Sequence, residues 1–202
     1  MTDRSGPPQA PDQAQRPPRP PGKVTAAYLE RPALAYLERY ASSAENLRRV
    51  LTRKVERRCR LRGEEPEPFL ALVDDAVRRS VESGLVDDRR YAEARAASLR
   101  RRGGSARLIR AKLAAKGVER EAAAAALAND TEDAERAAAD ALARRRRLGP
   151  YRARDRAAHR DRDMAALARA GFSYGLARGV IDAEGDPPES SRSGSPVPGD
   201  ED

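Results

Sequence analysis

The sequence predicts an all-α protein, an elongated, curved tandem array of three three-helix repeats with disordered tails. Three observations carry this. Good helix formers dominate, and clusters of β-branched residues are nearly absent. Aromatics make up 4% of the 202 residues, without tryptophan, against 36% charged residues. That is too little bulk for one thick core, and it suits alanine-rich helices packed in thin layers. Finally, Ser43-A-E-N-L-R-R-V-L-T-R-K and Ser105-A-R-L-I-R-A-K-L-A-A-K align about 62 residues apart. Each has a cap, an apolar residue four on, an arginine, another apolar residue and a lysine. A third copy, offset by about 54, sets Leu167 opposite Leu113, Gly171 opposite Gly117 and Ile181 opposite Leu127. Units too thin to stand alone stack side by side.

Residues 1–23 hold seven prolines and almost no large apolar residue, so nothing offsets the entropy of ordering them, and they are expected to be disordered. The first repeat is expected over 24–84. Its first helix begins near Thr25, takes apolar contacts from Tyr28, Leu34, Leu37 and Tyr40, and is restarted or kinked at Pro32. Ser42 and Glu45 have capping-box spacing for a second helix with Leu47, Val50, Leu51 and Val55 inward. Gly63 and Pro66-Glu67-Pro68 form a loop, and a third helix turns Phe69, Leu72, Val73, Ala76, Val77 and Val81 inward. Gly84 closes it in the left-handed conformation.

The second repeat, 85–129, opens with Asp87 or Asp88 as a cap. Tyr91, Ala94, Arg95 and Leu99 recur at helical spacing. Gly103-Gly104 breaks that helix, Ser105 caps the next, Ile109 and Leu113 form its apolar stripe, and Gly117 stops it. An alanine-rich helix follows over about 119–129. The third repeat, 130–183, starts at an Asp130 or Thr131 cap and runs to Arg144–Arg147, before Gly149-Pro150. Residues 151–162 read as a loop or an exposed helix, after which Met164, Leu167, Phe172, Leu176, Val180 and Ile181 restore a core. The acidic tail 184–202 is expected to be disordered. Each unit is expected to have a long, then a shorter capped, then a short helix.

No catalytic chemistry is legible. The lone Cys59 and lone His159 are too few for a metal site, which needs three or four converging ligands. No phosphate-binding G-x-x-x-x-G-K-[ST] loop occurs. Asp87-Asp88 directly follows a helix stop and suits capping better than a cation. The reading is therefore of a protein that is not an enzyme and takes no metal or cofactor. One cysteine allows no internal disulfide, and the N-terminus has no apolar signal-peptide core, so a cytoplasmic protein without a membrane segment is expected.

Binding is what remains. The net charge is +8, and because the acidic tail holds about −5, roughly +12 falls on the middle of the chain. Arg89, Arg90, Arg95, Arg100, Arg101, Arg102, Arg107, Arg110, Lys112 and Lys116 crowd one helical hairpin, with Glu93 the acid among them. A further run spans Arg144–Arg147. Such arrays contact phosphates or acidic side chains without reading bases. Aromatics beside them are too sparse for a stacking platform.

The stretch G-L-V-D-D-R-R-Y-A from Gly84, its arginine-rich helix, the glycine break and I-R-A-K-L-A-A-K-G-V from Ile109 resemble the RecX regulatory family, bacterial modulators of the RecA recombinase. The likeness runs from about Thr25 to about Asp182. It departs at Leu85, where the family usually has an aromatic residue. The resemblance implies the same three-unit helical architecture. It also implies a regulator whose partner is the RecA filament on single-stranded DNA; a monomer, with weak direct DNA contact, is expected. A different reading is a non-sequence-specific, DNA-binding architectural protein without a RecA partner. A third is a helical scaffold whose charge serves solubility.

Overall fold

The structure, a computed structural model, describes residues 21–184. The two tails, apart from residues 21–23 and 184, lie outside the described residues. Within them every regular element is helical. The first group is α1 (Ala26–Leu37), α2 (Ala44–Arg60) and α3 (Leu70–Glu82). The second is α4 (Asp88–Arg101), α5 (Ala106–Ala115) and α6 (Arg120–Ala125). The third is α7 (Glu132–Arg146), α8 (Arg156–Arg169) and α9 (Tyr174–Ile181). Single 3-10 turns occupy Glu67–Phe69 and Gly149–Tyr151. The charged stretch after Tyr151 is thus mostly the first half of α8.

Each group closes over its own small core. Leu29, Leu47, Leu51, Val55, Val73 and Val77 fill the first. Ala92, Ala96, Leu99, Ile109 and Leu113 fill the second, and Leu142, Met164, Leu167, Phe172 and Ile181 the third. Burying each of the larger side chains among these, from valine to phenylalanine, stabilises by about 1.5–3 kcal/mol. The close helix–helix packing is within groups, with α4 against α7 bridging the second and third. This is an elongated tandem array of three-helix units.

Several local expectations are corrected. The cap of α2 is Ser43, whose hydroxyl accepts the Asn46 N–H; Ser42 is one residue too early, and Glu45 pairs with Arg48 and Arg49. Pro32 sits inside α1, which runs on through it. Leu34, Tyr40 and Val81 are exposed, because the periodic stripe extends past the edge of a thin core. In α4 the buried face is Ala92, Ala96 and Leu99, one position away from the expected Tyr91 and Arg95 stripe. Small alanines let α4 approach its neighbours closely, and arginine faces solvent. In the first group α2, not the first helix, is the longest.

The capping alternatives resolve cleanly. Asp87 caps α4 by accepting the Arg90 N–H at 2.9 Å, and Thr131 caps α7. Gly84 has φ +72° with no atom near where a Cβ would sit, so only backbone strain opposes a side chain there. Gly84→Ala is expected to cost about 1 kcal/mol. Leu85→Tyr, at a position 53% exposed, is expected to change stability by less than about 0.5 kcal/mol. Urea denaturation midpoints ranked in the opposite order would contradict a helix stop at Gly84.

Candidate polyanion-binding surface

The joints between groups decide which basic side chains are free. At the first joint, the Ser43 hydroxyl donates to the Lys116 carbonyl at the end of α5, and the Ala44 N–H donates to Asp88 at 2.7 Å. At the second, the Ser105 hydroxyl donates to the Ala170 carbonyl at the end of α8 at 2.6 Å, and the Ala106 N–H donates to Glu135. The device is the same each time. A buried serine that caps its own helix also clasps the C-terminal end of the corresponding helix in the next group, so both hydroxyl functions are used. Asp155, at the equivalent position before α8, makes no side-chain cap bond and has no following described group to clasp.

Arg100 belongs to this scaffolding. It lies half-buried and donates to the Gly104 carbonyl, to Asp130 and to Glu135, tying α4 to the start of α7. Burial alone pushes its guanidinium down, but the two carboxylates outweigh that and hold it above its ordinary value. Lys116 is half committed as well, its ammonium 3.1 Å from Asn46 Oδ1 across the first joint. Arg89 pairs with Glu93 along α4.

Arg90, Arg95, Arg101, Arg102, Arg107, Arg110 and Lys112 are exposed. Among the described residues none of their side chains is in an ion pair. The structure does not gather all of them. Arg110 faces a shallow alanine-lined groove with Arg120, while Arg95, Arg102 and Lys112 point into a cleft at the second joint. Into that cleft α7 brings Arg145 and Arg146, and α8 brings Arg169. Arg144, from the same run, turns away onto Tyr151 and Asp140. Arg169 had no signal of its own in the sequence beyond its place just ahead of Gly171, the counterpart of Gly117.

The other residues that the sequence offered for chemistry are placed as follows. Cys59 is fully buried, and burial pushes its thiol up, which makes it a poor nucleophile. His159 is half-buried, with Nδ1 3.0 Å from the Asp155 carbonyl oxygen. Asp74 and Asp75 each engage arginines on the surface. Among the described residues no three His, Cys, Asp or Glu side chains come together as a metal cluster, and no helix is long and apolar enough to cross a membrane.

Residues 87–127, which hold α4 to α6, match the family model for the second three-helix domain of RecX. The regulatory protein RecX of Myxococcus xanthus is 46% identical over 172 residues, covering 84% of this chain and 92% of that protein. That of Agrobacterium fabrum is 35% identical over 150 residues, covering 74% and 79%. A crystal structure of a regulatory protein RecX superposes with a TM-score of 0.58 at 20% identity, over 78% of this chain and 72% of that one. RecX from Lactobacillus salivarius gives 0.54 at 19%, over 77% and 94%. Fold and sequence agree along most of the described chain, and the chain belongs to the RecX family of regulatory proteins.

Proposed function

We propose that this chain is a non-enzymatic, monomeric, cytoplasmic regulator that binds the RecA filament on single-stranded DNA and modulates, mostly by inhibition, its recombinase and ATPase activities. Membership in a family of regulatory proteins supports the role. The observation that carries the mode of binding is the exposed, unpaired basic surface of α4 and α5. A thin array with cations spread along it suits a repeating acidic or phosphate-lined groove, where many weak contacts add. The nucleotide hydrolysed belongs to RecA.

The test is the triple variant Arg101→Glu, Arg102→Glu, Arg107→Glu. Helicity by circular dichroism should stay near that of the parent, while filament binding weakens on the order of tenfold or more and RecA inhibition falls with it. Arg53→Glu, Lys54→Glu, Arg57→Glu on the outer face of α2, which changes the charge by the same amount, controls for net charge. Arg58 is unsuitable for this control, since it stacks on Tyr28 and donates to the Gly22 carbonyl. If the triple variant inhibits RecA like the parent, the α4–α5 surface is merely solvated. Inhibition of the ATPase at amounts far below those of the DNA separates this reading from a general DNA-binding architectural protein, which must cover the DNA to act.

A further inference from the structure

We infer that the acidic segment 184–202 of this chain seats its Asp200-Glu201-Asp202 run in the cationic cleft at the second joint, holding that cleft against other anions as an internal competitor. The inference rests on the reading above only in taking the basic face as a contact surface, and it is tested with no RecA present.

The cleft, about 400 Å³ in volume, is walled by four helices. Arg95 and Arg102 come from α4, Lys112 from α5, Arg145 and Arg146 from α7, and Arg169 from α8. The rest of the lining is leucine, alanine and glycine, without a carboxylate. Six converging cations repel one another, and negative charge that enters relieves the repulsion. The neighbouring Arg100 and Arg144, by contrast, are paired with carboxylates of the fold. The compensation missing from the cleft exists elsewhere in the same chain. Segment 184–202 holds six acids against Arg192 alone, and Asp200, Glu201 and Asp202 are consecutive.

The segment is rooted on the group that builds half of the cleft. Arg156, at the start of α8, donates to the Ile181 and Ala183 carbonyls, and Arg160 pairs with Asp182. These contacts hold Ala183 beside the first turn of α8, while Arg169, its last residue, lines the cleft. At 1.5 Å per residue the two ends of α8 lie roughly 20 Å apart. A fully extended chain from Ala183 to Asp200 covers up to about 60 Å, well beyond that distance. The cations Arg53, Lys54 and Arg57 on α2 lie two groups away along the array and have Glu56 among them. Exposed charge pairs are worth less than about 1 kcal/mol each, but covalent linkage supplies the acids at an effective concentration on the order of millimolar. The composition suits the site as well. Carbonyls beside the cleft are already engaged, Arg102's by Arg145, Gly104's by Arg100 and Ala170's by Ser105, so an entering backbone finds few acceptors for its N–H groups. Pro187, Pro188, Pro196 and Pro198 bring no N–H.

The deciding experiment is zero-length carbodiimide coupling on the full chain, which joins a carboxylate to a lysine amine in direct contact, read by mass spectrometry. The chain has four lysines, Lys23, Lys54, Lys112 and Lys116, and of these Lys112 lines the cleft. The 200–202 run is expected to couple to Lys112 at least about threefold more than to Lys54. The preference should vanish near 1 M salt, where the Debye length is about 3 Å. An equal mixture of nitrogen-15-labelled and unlabelled chain should give no mixed-isotope pairs. Mixed pairs would place the run on a second copy, and coupling spread evenly over the lysines would mean that it has no seat; either overturns the inference. Anisotropy with a fluorescent heparin oligosaccharide reads the competition itself. Asp200→Asn, Glu201→Gln, Asp202→Asn should tighten probe binding by about threefold to tenfold. Glu38→Gln, Glu56→Gln, Glu65→Gln, of equal charge and exposed in the first group, should change it much less. On a background of Lys112→Gln, Arg146→Gln, Arg169→Gln, neutralising the acidic run should lose most of its effect. Equal gains from the two acid variants, or an undiminished gain on that background, would reduce the effect to net charge and refute the inference. Failure of filament binding with the Lys112 coupling intact would sink the reading above and leave this one standing.

Discussion

Gly103→Ala is expected to destabilise the protein by roughly 3 kcal/mol and to loosen α7 from α4. Gly103 has φ +72°, where any Cβ is strained, and that Cβ would lie 2.7 Å from the Leu142 nitrogen and 2.8 Å from the Ala138 carbonyl oxygen. Both are backbone atoms in the middle of a helix of the next group, so no rotamer change relieves the contact. Strain of about 1–3 kcal/mol adds to an overpacking cost of similar size. Gly63→Ala isolates the first contribution, since Gly63 has φ +66° with nothing within 4 Å of a Cβ, and should cost only about 1 kcal/mol. Thermal melts should place the Gly103 variant roughly 10 °C below the parent, with faster exchange at Leu142. Equal midpoints for the two variants would mean that α4 and α7 do not meet at this glycine.

Asp163→Ala is expected to cost about 3 kcal/mol, concentrated in the third group. The Asp163 side chain is 1% exposed, accepts two hydrogen bonds from Arg152 at 2.7 and 3.1 Å, and accepts the Gly149 N–H at 2.8 Å. Removing the carboxylate leaves that N–H without its buried acceptor and Arg152 without its counter-ion. Burial pushes the Asp163 carboxyl up, but the Arg152 and Gly149 hydrogen bonds, with the Arg152 charge, outweigh it and hold the group below the ordinary carboxylate range. A carboxyl that titrates lower in the folded state contributes fully above its unfolded value, about 3.9. That contribution is lost as pH falls through the depressed folded value. The gap in stability between parent and Asp163→Asn should therefore be widest near neutrality and close below about pH 4. A gap unchanged between pH 7 and pH 3 would show that Asp163 carries no ionic stabilisation.

The sequence by itself determined the helical class, the number of units and most helix ends. Ser105, Gly84, Gly103 and Gly117 act through backbone groups within four residues, and such short-range constraints are legible in one dimension, whereas at Asp87 and Thr131 the sequence offered two adjacent caps and the structure chose between them. The apolar stripes of α2 and α5 were equally plain, because 3.6-residue periodicity depends on nothing beyond the helix itself. Where a stripe met the edge of a thin core, as at Leu34 and Val81, burial depended on a neighbour's position and periodicity misled. The candidate surface divided in the same way. Its ten basic residues stood out by composition, yet Arg100 and Lys116 look no different in the sequence from Arg102 and Lys112. Only packing across the joints turned the first pair inward, onto Asp130, Glu135 and Asn46, and left the second pair facing open space with Arg146 and Arg169. A charge is free or spent according to which carboxylates and carbonyls tertiary contacts bring within hydrogen-bond reach, and residues far apart along the chain become neighbours only when the units stack.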